Sequence, residues 1–307
     1  MEKKKNGNNL LNKESLYPPV KIKEKVTIGI SCFGNHELTR LMLEALYKNT
    51  HADMFHLLIM NDNPQDNETD ILLELYSLLH SNISILGNKT NIGVVQANNR
   101  FVRLTNTKYL ILMNSDVLVT PNWLNSYLNC ANDFSHWKII GSRLIYPNDT
   151  IQHAGIGYRP NPYMSSEFEN YWEYLPYHPK RGMNKNDKSC LSYREMAGVT
   201  TALAMFNMDV FTKIGCFDEK YSPGIYDDPD FCLTAISQGY IIGYCPHVVA
   251  FHLEGKSFDK DKINKMRILE RNAKYFLLKW EPWLSKLIRP KYKYSEWGSY
   301  TKYKNIY

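Results

Sequence analysis

The amino-acid sequence predicts an α/β fold, in which a mixed, mostly parallel sheet is flanked by helices and followed by a C-terminal helical extension. Two observations support this. Short apolar, β-branched runs alternate with segments of helical apolar spacing over residues 26–113. Strands that alternate with helices of about 10–15 residues are typical of parallel βαβ units. The chain has 307 residues, 44% of them hydrophobic, so it can bury a substantial core.

The predicted elements follow in chain order. In the first half, the spacing predicts strands at 26–32, 55–60, 83–86 and 109–113, separated by helices at 38–46, 71–79 and 94–104. In the second half it predicts strands at 138–145, 199–206, 240–245 and 248–251, and helices from 208, over 228–238 and over 256–288. Residues 158–193 form a long stretch rich in tyrosine and proline, and a loop of this length inside a domain is usually functional.

Composition excludes several classes of protein. No apolar run approaches the ~18 residues of a membrane-spanning helix. Residues 1–24 are interpreted as a flexible leader, and they lack the apolar core of a secretory signal. The six cysteines are scattered without CxxC spacing, which indicates buried thiols in a reducing compartment. We therefore expect a cytoplasmic protein.

The net charge of +6 is unevenly distributed. Residues 256–307 contain 14 Lys and Arg against 5 Asp and Glu, whereas the remainder is slightly acidic. The tail also carries aromatic and aliphatic residues, so its helix could lie on an anionic membrane surface. Packing on the core, or on a second subunit in a homodimer, is an equal alternative. A nucleic-acid partner is not expected, because the body offers no continuous basic face.

Polar side chains follow the strands of the first half at the points where these strands end. Turns are rich in Asn, Asp and Gly for local reasons, so each segment alone is a weak signal. Together they would meet at the carboxyl edge of a parallel sheet, where ligands bind. None matches a phosphate-binding loop or a dinucleotide fingerprint. These segments contribute Asn35, Asp62, Asn63, Asn91, Gly93, Asn98, Asn114, Ser115 and Asp116.

Two residues are candidate metal ligands. Asp116 closely follows a buried strand, and one carboxylate with water and phosphate oxygens is a common way of holding Mg²⁺ or Mn²⁺. The alternative is that Asp116 caps a turn or the helix that begins near Pro121. His252 also ends a strand, and imidazole is a common ligand of Mn²⁺-like ions, although a lone histidine is more often structural.

Three carboxylates, Asp227, Asp228 and Asp230, stand at the start of the predicted helix at 228–238. A helix N-terminus is stabilised by acidic side chains, which accounts for one or two of them. A third carboxylate indicates a general base or a cation site.

The order of these segments resembles glycosyltransferase family 2, with the GT-A fold, and especially its rhamnosyltransferase-like and O-antigen or capsule enzymes. The resemblance covers residues 25–257. It rests on the opening strand with Asn35, on Asn61-Asp62-Asn63, on Asn91-Ile-Gly93 with Ala97-Asn98, on Met113-Asn-Ser-Asp116, on Ile151-Gln-His-Ala-Gly155 and on Asp227-Asp-Pro-Asp-Phe-Cys232.

The resemblance implies a role for each candidate residue. Residues 25–120 would bind a nucleotide sugar through the nine polar residues named above, residues 121–257 would bind the acceptor, and residues 258–307 would form a basic, aromatic extension. Asp116 and His252 would bind Mn²⁺ or Mg²⁺. Asp228 would be the catalytic base, with Asp230 as the next candidate and Asp227 as the residue that orients it.

The implied reaction is an inverting, metal-dependent transfer of a sugar from a UDP- or dTDP-sugar. The acceptor would be a hydroxyl of a growing glycan or lipid-linked saccharide in surface polysaccharide synthesis, at the inner face of the cytoplasmic membrane. The alternative is a non-catalytic carbohydrate-binding protein of the same fold, although a binding protein needs no base.

Three positions depart from the family pattern. Asn114 stands where a stricter DxD motif has a carboxylate, so Asp116 would be the main acidic metal ligand. Asp227 replaces the usual Glu, which keeps the charge but shortens the reach. Arg100 lies near the usual position of a glycine.

Overall fold

The computed structural model describes residues 26–159, 174–253 and 262–288. Its helices are α1 (His36–Asn49), α2 (Asn67–Leu79), α3 (Gly93–Leu104), α4 (Trp123–Asp133), α5 (Asp209–Ile214), α6 (Asp227–Ser237) and α7 (Lys262–Ile288). Its strands are β1 (Val26–Cys32), β2 (Phe55–Asn61), β3 (Ile83–Leu86), β4 (Tyr109–Asn114), β5 (Val117–Val119), β6 (Trp137–Ile145), β7 (Ile151–His153), β8 (Gly157–Arg159), β9 (Leu175–Tyr177), β10 (Arg194–Glu195), β11 (Leu203–Asn207) and β12 (Ile241–His252). The predicted leader and part of the aromatic stretch lie outside the described residues.

Ten strands form one mixed sheet in the order β10-β12-β6-β11-β4-β1-β2-β3, with β5 paired to β12 and β7 paired to β6. Strands β3, β2, β1 and β4 are parallel neighbours. Strands β6 and β12 run in the same direction as these four, because β11 is antiparallel to both β4 and β6. Six strands therefore end at one edge of the sheet. The predicted α/β fold with a mostly parallel sheet is confirmed.

Side chains on the two faces of the sheet fill two cores, because successive residues of a strand point to opposite sides. Along β4, Ile111 and Met113 pack with α1, α2 and α4, whereas Leu110 and Leu112 pack with α3, α5, α6 and α7. The sheet is thus covered on both sides, and ligands can reach it only at its ends.

Helix α7 belongs to the second core. Phe276, Trp280 and Leu284 are buried there, and Leu278 on the opposite side of the helix is exposed. The described part of the helix therefore packs on the core, and the membrane-surface interpretation of the tail stays a prediction. Among the described residues, no helix has the length and apolar character needed to span a bilayer.

Five strands of only two or three residues, β5, β7, β8, β9 and β10, were not predicted, and two predicted strands differ in their bounds. Strand β12 is continuous, although two strands were expected, because its pairing with β6 resumes after an irregularity between Tyr244 and Val249. Strand β11 begins at Leu203 and not at 199, because residues before it leave the sheet and bond to α6. Thr200 and Thr201, for example, donate hydrogen bonds to Asp228.

Gly243 in β12 lets the sheet approach an aromatic side chain. A Cβ atom at this position would lie 1.9 Å from Cε3 of Trp137, which is buried in β6. We expect Gly243→Ala to lower the free energy of unfolding by roughly 1–3 kcal/mol, because overpacking displaces neighbouring groups. Urea unfolding measures this change. Gly87→Ala is the matched control, since nothing lies within 4 Å of its Cβ position. Equal stabilities of the two variants would contradict the prediction.

Candidate active site

A cleft of about 740 Å³ lies at the carboxyl ends of β1, β2 and β4. The first turns of α3 and α6, the loop before β11, the end of β12 and the first turns of α7 complete its walls. This is the edge at which ligands bind in open α/β sheets. Nine of the predicted site residues line the cleft: Asp62, Asn91, Gly93, Asn114, Ser115, Asp116, Asp227, Asp228 and His252.

Asp116 and His252 are brought together by the antiparallel pairing of β5 with β12. His252 pairs with Val117, and the backbone N–H of Leu253 donates to the carbonyl oxygen of Asp116 at 3.1 Å. This register places Nε2 of His252 3.2 Å from Oδ1 of Asp116. Both side chains are largely buried, with 8% and 14% of their surface exposed.

This pair fits a divalent cation. Adjacent ligands of an octahedral ion with bonds of about 2.1 Å lie about 3 Å apart, which is close to the distance found between the two atoms. Nδ1 of His252 is buried and finds no hydrogen-bond partner among the described residues, so nothing there prevents the ring from carrying its proton on Nδ1 and offering the Nε2 lone pair. No group of three or more His, Cys, Asp or Glu residues that could hold a metal occurs in the described part of the chain. Ligands beyond this pair would therefore come from the nucleotide and water.

Asp228 is held by the loop before β11. Its Oδ2 accepts from the Thr200 hydroxyl at 2.7 Å and from the Thr201 backbone N–H at 3.2 Å, and its Oδ1 accepts from the Thr201 hydroxyl at 2.8 Å. Each carboxylate oxygen can accept about two hydrogen bonds. Three contacts therefore fix the orientation of the carboxylate at the edge of the cleft.

Asp227 lies beside Asp228 and is almost fully buried, with 4% of its surface exposed. Burial, and next the negative charge of Asp228, hold the pKa of the Asp227 carboxyl well above its usual value. Its Oδ2 has no hydrogen-bond partner within the described residues. The pair therefore consists of one fixed carboxylate and one neighbour that favours its protonated form.

The predicted nucleotide segments meet at Asp62. This buried carboxylate accepts from the backbone N–H of Ile92 at 2.9 Å and of Gly93 at 2.8 Å, and from the Asn88 amide at 2.8 Å. The Asn91 side chain also accepts from the Gly93 N–H, at 2.9 Å. Asp62 thus fixes the start of α3 at the edge of the cleft.

Three residues predicted to contact the nucleotide do not line the cleft. Asn35 caps α1, where its side chain accepts from the Leu38 N–H with a left-handed backbone (φ 118°). Asn63 closes a turn by accepting from the Gln65 N–H at 3.3 Å. Asn98 is buried on α3. A local role accounts for Asn35 and Asn63, since both are typical turn and cap residues.

Asp230, predicted as the next candidate for the base, also lies outside the cleft lining. It is 2% exposed and accepts hydrogen bonds from Tyr221, Lys279 and Trp280. Its position does not support a role as base, because α7 occupies the space in front of its carboxylate.

The sequence did not indicate several residues that line the cleft. Thr200 and Thr201 carry no motif of their own, and their contacts with Asp228 arise only when β11 and α6 pack together. Lys265 was placed in the separate extension, yet it lines the cleft because α7 folds back over it. Its positive charge in a polar loop-to-helix region was the one signal that could have identified it.

The family model described as glycosyl transferase family 2 matches residues 27–214 of the chain. This span contains β1–β11 and the Asp62 and Asp116 segments. The match covers more than half of the chain, so the protein belongs to glycosyl transferase family 2.

Two relatives are similar over most of the chain. The O-antigen biosynthesis protein RfbC of Myxococcus xanthus is 25% identical over 275 residues, which cover 87% of this chain and 20% of that protein. The uncharacterized protein y4gI of Sinorhizobium fredii is 22% identical over 262 residues, which cover 83% of this chain and 27% of that protein. The chain thus spans about a quarter or less of the length of these relatives.

Two solved structures share the fold. GalNAc-T7, in a crystal structure with UDP, GalNAc and Mn²⁺, aligns with a TM-score of 0.59 and 14% identity over 82% of this chain and 50% of that one. The mannosyltransferase PcManGT from Pyrobaculum calidifontis, in complex with GDP-Man and Mn²⁺, aligns with a TM-score of 0.53 and 14% identity over 81% of this chain and 61% of that one.

The buried carboxyl of Asp227 makes the stability of the fold depend on pH. In the unfolded chain this group ionises near its ordinary pKa, whereas the folded state keeps the proton, so the unfolded state binds fewer protons and stability falls as pH rises above about 4. Asp227→Asn removes this loss. We expect the variant to be more stable than the wild type, with a difference that grows by up to about 1.4 kcal/mol per pH unit while the folded carboxyl stays protonated.

Urea unfolding at pH about 5 and about 8 measures this difference, because the unfolded carboxyl is ionised at both values whereas burial raises the pKa of the folded one. Glu74→Gln, at an exposed position of α2, is the control and should show no such trend. A difference between wild type and Asp227→Asn that does not increase with pH would contradict the prediction.

Proposed function

We propose that the protein transfers a sugar, with inversion, from a UDP- or dTDP-sugar to a hydroxyl of a growing glycan or lipid-linked saccharide in surface polysaccharide synthesis. The observation that carries this proposal is that one cleft holds both a cation-binding pair, Asp116 and His252, and a buried acidic pair, Asp227 and Asp228. The similarity to an O-antigen biosynthesis protein supports the proposed pathway class. All six cysteines are free, which fits a cytoplasmic location.

Asp116 and His252 would hold Mn²⁺ or Mg²⁺ at the diphosphate end of the donor. Once bound, the ion would neutralise the charge that builds up on the departing diphosphate. Mn²⁺ accompanies the nucleotide in both structures of similar fold. Lys265, the one Lys or Arg among the described cleft residues, adds a second positive charge for the same anion.

Asp228 would be the catalytic base. The acceptor hydroxyl gives its proton to Oδ1 of Asp228 while its oxygen bonds to the anomeric carbon, and the bond from that carbon to the diphosphate oxygen breaks with its electron pair. A single displacement of this kind inverts the anomeric centre. The three hydrogen bonds from Thr200 and Thr201 fix the orientation of the Asp228 carboxylate. Burial favours the neutral form of Asp227, which therefore repels the Asp228 carboxylate little.

Binding of the nucleotide sugar should depend on the cation-binding pair, Asp116 and His252. With Mn²⁺ present, we expect one of UDP, dTDP, GDP and CMP to raise the melting temperature of the wild type, because a ligand that binds only the folded state stabilises it. Asp116→Asn and His252→Ala should lose most of this shift. His51→Ala, at a side chain that is 76% exposed, should keep it. A metal-dependent shift that persists in both site variants would contradict the assignment of Asp116 and His252 as metal ligands. No shift with any nucleotide would favour a non-catalytic relative.

The base is tested by Asp228→Asn, which keeps the size of the side chain and removes its basicity. We expect kcat for transfer, or for hydrolysis of the donor, to fall by about 10²–10⁴-fold, the usual contribution of a general base. The Kd for the nucleotide with Mn²⁺ should stay within about twofold, since the cation pair lies on other strands. Asp53→Asn serves as the control. Near-normal turnover by a folded Asp228→Asn protein would place the base elsewhere.

A further inference from the structure

A strained turn leads into the acidic pair. Ile225 and Tyr226 have φ values of 73° and 72°, in the left-handed region that β-branched and bulky residues rarely adopt. They immediately precede Asp227. Such conformations persist only where the surrounding structure holds them, so contacts to this turn determine where the following carboxylates point.

Helix α7 supplies those contacts through Asn272, which is 1% exposed. Its side-chain amide Nδ2 lies 2.9 Å from the carbonyl oxygen of Tyr221, 2.8 Å from that of Gly224 and 2.8 Å from that of Ile225. Its Oδ1 accepts from Nε of Arg271 at 2.9 Å, which orients the amide. One buried side chain thus contacts three carbonyl groups in the strained turn and in the segment just before it.

Helix α7 also forms hydrogen bonds with the segment that follows the acidic pair. Asp230, in the first turn of α6, accepts from Nε1 of Trp280 at 2.7 Å and from Nζ of Lys279 at 2.9 Å. The Tyr221 hydroxyl donates to the same carboxylate at 3.0 Å. The contacts of α7 therefore lie on both sides of Asp227 and Asp228.

We propose that α7 positions the acidic pair, with Asn272 and Asp230 as the positioning residues. Neither residue lines the cleft, so each acts through the backbone that carries Asp227 and Asp228. Asp116 directly precedes β5 and His252 ends β12, and the contacts of α7 named above include neither strand. Substitution of Asn272 alone, which leaves Lys265 unchanged, should therefore impair the acidic pair and spare nucleotide binding. The inference rests on the proposed function, which takes Asp228 as the base.

Two substitutions at Asn272 separate hydrogen bonding from size. Asn272→Ala removes the whole amide, whereas Asn272→Asp keeps the shape but replaces the donor by an oxygen that faces three carbonyl groups. If the hydrogen-bond donor of Asn272 matters, both variants lose function, and Asn272→Asp is at least as impaired as Asn272→Ala. Lys274→Ala, at an exposed position of the same helix, is the matched control.

Hydrogen exchange followed by mass spectrometry is the first measurement, because it needs no substrate. We expect peptides that cover 221–231 to exchange at least about tenfold faster in both Asn272 variants, while peptides of β5 and β12 are unchanged. Unchanged exchange at 221–231 would overturn the proposal. Faster exchange throughout the protein would also overturn it, because Asn272 would then support the whole fold.

Kinetics test the link to chemistry. With the UDP-, dTDP- or GDP-linked hexose that the wild type turns over, kcat of Asn272→Ala should fall by about 10–100-fold, the cost of a misplaced catalytic group, while the Kd for the nucleotide with Mn²⁺ stays within about twofold. In the Asp228→Asn background, Asn272→Ala should cost nothing more. Normal kcat in Asn272→Ala would overturn the positioning role. Normal kcat in Asp228→Asn would instead contradict the base assignment and leave the exchange result standing.

Discussion

The pairing of β5 with β12 is the contact on which the site depends. Strand β5 directly follows Asp116 and β12 ends at His252, so the two candidate ligands meet only because these distant segments pair. Strand β12 is also bonded to β6 within the main sheet. The position of the cation pair is therefore set by backbone hydrogen bonds and not by flexible side chains. A site built on such strands is organised before any ligand arrives.

The cleft holds four carboxylates, and the fold offsets each of them differently. Asp62 accepts hydrogen bonds from the backbone of α3, and Asp228 accepts three from the loop before β11. Asp227 avoids the cost of a buried charge by holding its proton. Asp116 has His252 beside it. Carboxylates that would otherwise repel one another can therefore stand together in one cleft.

Hydropathy patterns were sufficient to predict the longer strands of the sheet, because period and burial are local properties of the chain. They did not predict β5, β7 and β10, which have only two or three residues each and so show no clear period. The order of motifs also indicated Asp116, His252, Asp227 and Asp228, which the structure brings to one cleft. The pattern could not separate Asp230 from its neighbours, since its partners Lys279 and Trp280 come from a helix far along the chain. It could not distinguish Asn35, a cap, from a ligand contact, because both use the same side chain after a strand. The role of Thr200 and Thr201 could be recognised only in the structure, because their contacts with Asp228 arise when β11 and α6 pack together.

The start of α3 has a consequence for the direction in which a donor can lie. In many nucleotide-binding proteins the free N–H groups at a helix N-terminus hold a phosphate. Here the Ile92 and Gly93 N–H groups already face the Asp62 carboxylate, and Pro223 lies within 2.7 Å of the Cβ position of Gly93. A diphosphate at that end would meet the negative charge of Asp62, whereas Lys265 on α7 brings a positive charge to the cleft lining. The start of α3 is therefore better suited to an uncharged group than to a phosphate.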